Sequence, residues 1–365
     1  MAGASTSGGD CLTASDSHHF ESLTPLGWDL ARWEAYRGLG PEIGRPARVS
    51  RVDRGRCTVL GPDPRRVESG HHAISTGDWV VVGPGQLPGD REQIAAVLPR
   101  RTAFVRDRSG GETVAQVIAA NVDRVFLACG LDVPRSSGRL ERYLALAWQS
   151  GATPVVVLTK ADMCGEAELG EALDWARSIS PGVDVREVSA ATGHGLRELV
   201  VAHLAPGRTV ALLGPSGSGK SSLVNALAGR DLMPTGETRR DGKGRHTTAH
   251  GQLVVLPGGG ILLDTPGMRG LGLWNASEGL AHTFLDLEEL MNRCRFSDCS
   301  HSTEPGCAVQ AAIDAGTLAP SRLDRWRKLQ RELTSLAARQ GDLVARQEAQ
   351  RHWKAVKRDE RRHPR

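Results

Sequence analysis

The stretch TVALLGPSGSGKSSLVNALAG, residues 209–229, constrains the fold of this 365-residue chain more than any other. An apolar run enters a glycine-rich turn, and a helix-compatible segment leaves it. Gly214, Gly219, Lys220 and Ser221 fit the pattern G-x-x-x-x-G-K-[ST], which works only where a strand feeds a loop that opens a helix. Backbone N–H groups of such a loop wrap phosphates. The cradle would comprise Gly214, Pro215, Ser216, Gly217, Ser218 and Gly219, with Ser222 in the first helical turn. Lys220 would reach the β and γ oxygens, and the Ser221 hydroxyl would ligate Mg²⁺.

The surrounding pattern supplies the sheet that this motif needs. VDRVFLACG, PVVVLTKAD, VDVREVSA, RTVALLG, GQLVVLP and GILLDTPG are short apolar runs, most of them separated by helix-like stretches such as GRLERYLALAWQSG. This alternation predicts βαβ units and a mostly parallel sheet, an α/β domain over residues 113–275. Upstream, ARVSRV, RCTVLG, DWVVVG and QIAAVL are broken by Gly, Pro and Asp turns, the spacing of a small all-β barrel within 41–102. RRTAFVRDRSGGET between them reads as a polar linker at a domain boundary. After about Trp274 the pattern is helical, so 276–365 forms a third unit with a basic tail. Residues 1–40 read as a disordered extension, with disorder expected up to about Ser22 and WDLARWEAYRGLG able to form a short helix or dock.

Two further segments carry nucleotide chemistry. In VVVLTKAD, Thr159, Lys160 and Asp162 end an apolar strand. A carboxylate there accepts from the ring N–H and exocyclic amine of guanine and repels the reversed edge of adenine, while the Lys160 stem lies over the base. In EVSAATGHG, the backbones of Ser189 and Ala190 are candidates to donate to the guanine carbonyl. Downstream, ILLDTPGM places Asp264 to hold Mg²⁺ through water and the Gly267 amide to sense a γ-phosphate. The polar segment TGETRRDGKGRHTT suits a loop that orders when Thr247 or Thr248 meets the metal. Met268 stands where many GTPases have a water-orienting Gln, so intrinsic hydrolysis should be slow. His246 is the candidate to supply the orienting group once a partner orders its loop.

Cys294, Cys299, His301 and Cys307 form C-x₄-C-x-H-x₅-C, a soft S₃N set suited to one tetrahedral Zn²⁺. With four protein ligands and no open position the site would be structural, and nearby Asp298 could tune it. The other cysteines are scattered, which argues against a disulfide framework. No run of eighteen apolar residues and no signal-peptide pattern is present, so a soluble, cytoplasmic, monomeric chain without membrane contact is the expectation. The net charge is only +4, yet from Ser321 to Arg365 there are 14 Lys and Arg against 6 Asp and Glu. That asymmetry points to a polyanionic partner, and Arg239, Arg240, Lys243 and Arg245 are further candidates for RNA phosphate contacts.

These elements resemble the translation-factor GTPase set in a permuted order, with the base-specificity segments ahead of the phosphate loop. From about Arg45 to about Ala312, QVIAANVDRV, TKAD, GPSGSGKSSLVNAL, GRHTT, DTPGMR and CRFSDCSHSTEPGCAV resemble the family of ribosome small-subunit-dependent GTPase A, the RsgA/YjeQ family of circularly permuted GTPases. The resemblance implies an N-terminal oligonucleotide-binding (OB) barrel, a central P-loop GTPase domain and a C-terminal zinc domain. It also implies GTP hydrolysis to GDP, stimulated by the small ribosomal subunit and its rRNA, late in subunit maturation. One departure is Thr159, where most GTPases have Asn; loss of the amide bonds should weaken base positioning. Two other readings compete: a zinc protein that binds nucleic acid and uses nucleotide only as a switch, and a P-loop ATPase or kinase, which Asp162 opposes.

Overall fold

The computed structural model describes residues 20–85, 89–107, 115–233, 251–264 and 276–338. Five short strands, β1 (Arg45–Asp53), β2 (Arg56–Leu60), β3 (Arg65–Glu68), β4 (Trp79–Gly83) and β5 (Gln93–Val97), pair in the order 1-2-3-5-4, and β4 returns to β1 to close a barrel. Every pairing is antiparallel except β3 with β5. Alternation decides the filling: Val49, Cys57, Val59, Val80, Val82 and Ile94 turn inward.

β4 is buried on both faces, and the reason lies upstream. Its outward residues Trp79 and Val81 are covered by Leu23, Trp28, Trp33 and Tyr36, and Trp28 meets Trp79 edge-on at 4.8 Å. From Phe20 onward the supposed extension is therefore structured, which corrects the reading of 1–40 as disordered. The helix Leu30–Arg37 is N-capped by Asp29, whose side chain accepts from the Arg32 amide. The supposed linker is also built in. β6 (Ala103–Asp107) and β7 (Ala115–Ala120) form a hairpin, and Phe104, 2% exposed, packs in the core of the following unit.

Six strands form the second unit: β8 (Arg124–Gly130), β9 (Thr153–Thr159), β10 (Asp184–Val188), β11 (Thr209–Leu213), β12 (Gln252–Val255) and β13 (Ile261–Asp264). Their order is 10-9-8-11-13-12, all parallel except β12. Along β8 and β9 alternate residues serve opposite faces. Val125, Leu127, Val156 and Leu158 meet the helices Ser137–Gln149 and Glu166–Ile179, whereas Phe126, Val155 and Val157 meet Leu196–His203 and Lys220–Ala228. The barrel and this sheet are not separate: Arg51 of β1 pairs with Gln252 of β12, and Thr76 Oγ1 donates to the Gly251 carbonyl at 3.1 Å.

The C-terminal helices Ser277–Thr283, Leu285–Met291, Ala308–Asp314 and 320–338 lie on the Ser137–Gln149 face. No helix among the described residues is long and apolar enough to cross a membrane.

Candidate nucleotide site and metal-ligand cluster

Parallel strands deliver their carboxyl ends to one edge, and a crevice opens where neighbouring connections diverge. β11 sits at that point, between β8 and β13. It ends in the loop Gly214–Gly219, and the helix Lys220–Ala228 starts directly after it. The first helical amides have no intrahelical acceptor, which is the arrangement in which a helix N-terminus can hold an anion. Lys220 Nζ is held in the loop by the carbonyls of Gly214, at 2.8 Å, and Pro215, at 2.5 Å. Ser216 and Gly217 are exposed on the rim, while Ser218 is buried. Gly219 adopts φ +76°, and a Cβ there would press on Thr159 Oγ1 at 3.3 Å.

That contact links the loop to the next segment. Thr159, 3% exposed, donates its hydroxyl to the Ser218 carbonyl at 2.8 Å. The tether answers the departure noted above, since the threonine engages the phosphate loop itself. Lys160 takes a left-handed backbone conformation (φ +62°), and Asp162 follows in a single 3₁₀ turn, Ala161–Met163. Thr159, Lys160, Asp162, Ala190, Gly219 and Ser222 line one cleft of about 200 Å³, walled by Met163, Val188, Ala191 and Leu223. Base-specificity candidates and phosphate-loop candidates thus share a pocket although β10 and the helix Leu196–His203 intervene in the chain.

Ser189 acts differently from expectation. Its amide donates to the His194 carbonyl at 3.0 Å and is not available to a base. Its hydroxyl instead donates to Asp162 Oδ1 at 2.5 Å and accepts from the Thr192 amide at 3.1 Å, orienting the carboxylate. Of the two amides put forward, that of Ala190 takes no acceptor among the described residues. Asp264 ends β13 on the same edge, and its backbone pairs with Gln252. His246, Thr247, Thr248, Gly267, Met268 and the basic side chains of 239–245 lie outside the described residues, as does the tail from 339.

The second site lies between the helices Leu285–Met291 and Ala308–Asp314. The ligand atoms of Cys294, Cys299, His301 and Cys307 lie within 4.8 Å of one another. Burial pushes the Cys294 thiol up, but the amides of Ala308 and Val309 together with hydrogen bonds to Cys307 and Cys299 outweigh it and hold the group below the usual thiol range. Burial also pushes the His301 imidazole down, towards the neutral form a metal requires. The loop carrying these residues is fastened by Gln310 Nε2 and Arg327 Nη2, which donate to the His301 carbonyl at 2.6 and 2.9 Å. Asp298, expected to tune the cluster, makes no hydrogen bond among the described residues. Glu304 has the organising role: it accepts from the amides of Ser300, Ser302 and Thr303 at 2.9 to 3.1 Å and from the Ser300 hydroxyl, which holds its carboxyl down at about 2.

Comparison with known proteins places this geometry in a lineage. The sequence profile of the RsgA GTPase family matches residues 97–274. The small ribosomal subunit biogenesis GTPase RsgA of Streptomyces avermitilis is 47% identical over 363 residues, covering 94% of each chain. Among solved structures, YjeQ from Thermotoga maritima aligns with TM-score 0.59 and 27% identity, covering 80% of this chain and 98% of that one. YloQ, described as a circularly permuted GTPase, aligns with TM-score 0.58 and 21% identity over 80% of this chain and 95% of its own, a likeness of fold. Near-half identity along almost the whole length, on a sheet whose TKAD strand precedes its phosphate-loop strand, leads to one assignment: the chain belongs to the RsgA family of circularly permuted GTPases and is a GTP-hydrolysing enzyme.

Proposed function

We propose that this GTPase acts in maturation of the small ribosomal subunit, binding rRNA and hydrolysing GTP when the subunit engages it in the cytoplasm. The observation that carries the nucleotide assignment is the shared cleft, which Asp162 lines together with Gly219 and Ser222. In this reading Asp162 accepts from the guanine edge, Lys160 covers its face, and the Ala190 amide meets its carbonyl oxygen. The amides of the loop and the Lys220 ammonium hold the phosphates. Ser221 and Asp264 are the residues to hold Mg²⁺, which supplies charge neutralisation at the β and γ oxygens when bound. Thr247 or Thr248 and the Gly267 amide report the γ-phosphate, and His246 orients the attacking water. The closed barrel is assigned as an OB fold on its strand order.

Zn²⁺ is the proposed occupant of the cysteine cluster, and the donor set fits it. A tetrahedron with the usual zinc bond lengths has S···S edges of about 3.8 Å and S···N edges of about 3.6 Å. Cys294 and Cys307 Sγ are 3.9 Å apart, and they lie 3.5 and 3.7 Å from His301 Nδ1. Four protein donors close the shell, so the metal holds structure and takes no part in hydrolysis.

The deciding experiment is GTP turnover by the full chain with purified small subunits, large subunits or neither, with ATP as competitor. Stimulation by small subunits alone, lost in His246→Ala and insensitive to ATP, is expected. Equal turnover in all three mixtures overturns the ribosomal reading, and unchanged stimulation of His246→Ala removes that residue from the mechanism.

A further inference from the structure

Asp132 stands two residues beyond the end of β8, on the same edge as the nucleotide cleft, and the family assignment gives it no role. Its Oδ2 lies 2.5 Å from Lys160 Nζ. The two side chains are 24% and 29% exposed, so the pair lies at the surface and is only partly screened from water. The backbone around it is prepared for the contact. The Leu131 amide donates to the Thr159 carbonyl at 3.1 Å, binding the loop after β8 to the end of β9. Gly130 leaves the space the carboxylate uses: a Cβ there would stand 2.7 Å from Asp132 Oδ1 and 3.4 Å from the Ser218 Cα. Asp132 therefore sits where three loops meet: those following β8 and β9, and the phosphate loop.

A free lysine on a four-carbon stem samples many rotamers and keeps its ammonium in water. For the stem to lie along a base, that freedom must be lost on binding, and a contact that fixes it beforehand strengthens binding without touching the ligand. We propose that Asp132 is a positioning residue for nucleotide binding, its carboxylate anchoring the Lys160 ammonium so that the stem is laid in advance over the face of the purine. The inference rests on the reading of the Thr159–Asp162 cleft as the base pocket. Because the stem contacts base and not phosphate, GTP and GDP benefit equally.

The test measures the dissociation constant and off-rate of a fluorescent N-methylanthraniloyl GDP with the full chain and its variants Asp132→Asn, Asp132→Glu, Lys160→Met and the Asp132→Asn/Lys160→Met pair. Asp132→Asn is expected to weaken binding about fivefold, the upper end for a pair of this exposure, through faster dissociation and without a change in melting temperature. The KM for GTP should rise by the same factor at constant kcat, the signature of binding lost equally from ground and transition states. Lys160→Met keeps an apolar stem but not the ammonium, so it should lose as much; the double variant should lose no more than either, and Asp132→Glu should recover part. Binding within twofold of the unmodified chain for Asp132→Asn or Lys160→Met, or additive losses in the pair, overturns the proposal. Asp162→Ala run alongside separates the two levels. If it binds GDP normally, the base-pocket reading fails; if it loses GDP while Asp132→Asn does not, only the role of Asp132 fails.

Discussion

Replacing Arg322 by methionine should release the C-terminal helices from the nucleotide-binding unit. Arg322 is 4% exposed and reaches four partners: Nη1 donates to Glu141 Oε1 at 2.7 Å and to the Ile179 carbonyl at 3.4 Å, Nη2 donates to the Thr283 carbonyl at 2.8 Å, and Nη2 and Nε bind Asp286 at 2.9 and 3.2 Å. Its guanidinium also stacks 4.2 Å from the centroid of Phe284. Glu141, fully buried on the helix Ser137–Gln149, accepts in addition from Arg325 Nε at 2.8 and 2.9 Å. Removing one partner of a buried pair costs about 3–5 kcal/mol, because the other charge stays desolvated. Arg325 still holds Glu141 in the variant, so the lower end applies, about 3 kcal/mol, or roughly a 150-fold larger undocked population. A chain of several units does not unfold in one step, so the local readout is native-state hydrogen exchange of the helix 320–338. Protection there should fall by about two orders of magnitude while the helix Lys220–Ala228 keeps its own. A fall of less than tenfold would refute the argument that this ion cluster fastens the two units.

Thr159→Val preserves shape but leaves the buried Ser218 carbonyl without its donor, which should weaken GDP binding by about 1–2 kcal/mol, tenfold or so, in the same fluorescence titration; unchanged affinity would show that the tether is idle. Elemental analysis should find one zinc per chain, and chelation should speed exchange across 294–307, the segment that carries all four candidate ligands. Full protection after metal removal would count against a structural metal.

The strand, glycine-rich turn and helix of the candidate phosphate loop were legible because they are local: glycine conformations and a lysine six residues into one turn need no distant partner to be inferred. The cysteine cluster was legible for the same reason, with all four donors in a fourteen-residue window. The base segment could be read from an acidic residue just past an apolar run. What failed depended on contacts that periodicity does not encode. Ser189 was assigned by its backbone, but the tight turn to His194 takes that amide and leaves the hydroxyl to orient Asp162. Within 20–40 the short helix expected in WDLARWEAYRGLG is present as Leu30–Arg37, but the surface it docks on, the apolar outer face of β4, is set by the tertiary fold. Asp132 carried one signal that could have been used, a charge two residues beyond the end of the apolar run VFLACG.

By itself the amino-acid order determined which chemical groups exist and which short segments hold them: a glycine-rich turn that opens a helix, an acidic strand end, a thiol–imidazole set. Backbone geometry within a few residues suffices for each of these. Tertiary structure alone decided that β9 and β11, separated by β8 in the sheet and by β10 in the chain, bring Asp162 and Gly219 into one cleft. The physical reason is that a parallel sheet presents every carboxyl end at one edge whatever the order of its strands, so loop proximity follows lateral strand position, which periodicity does not encode.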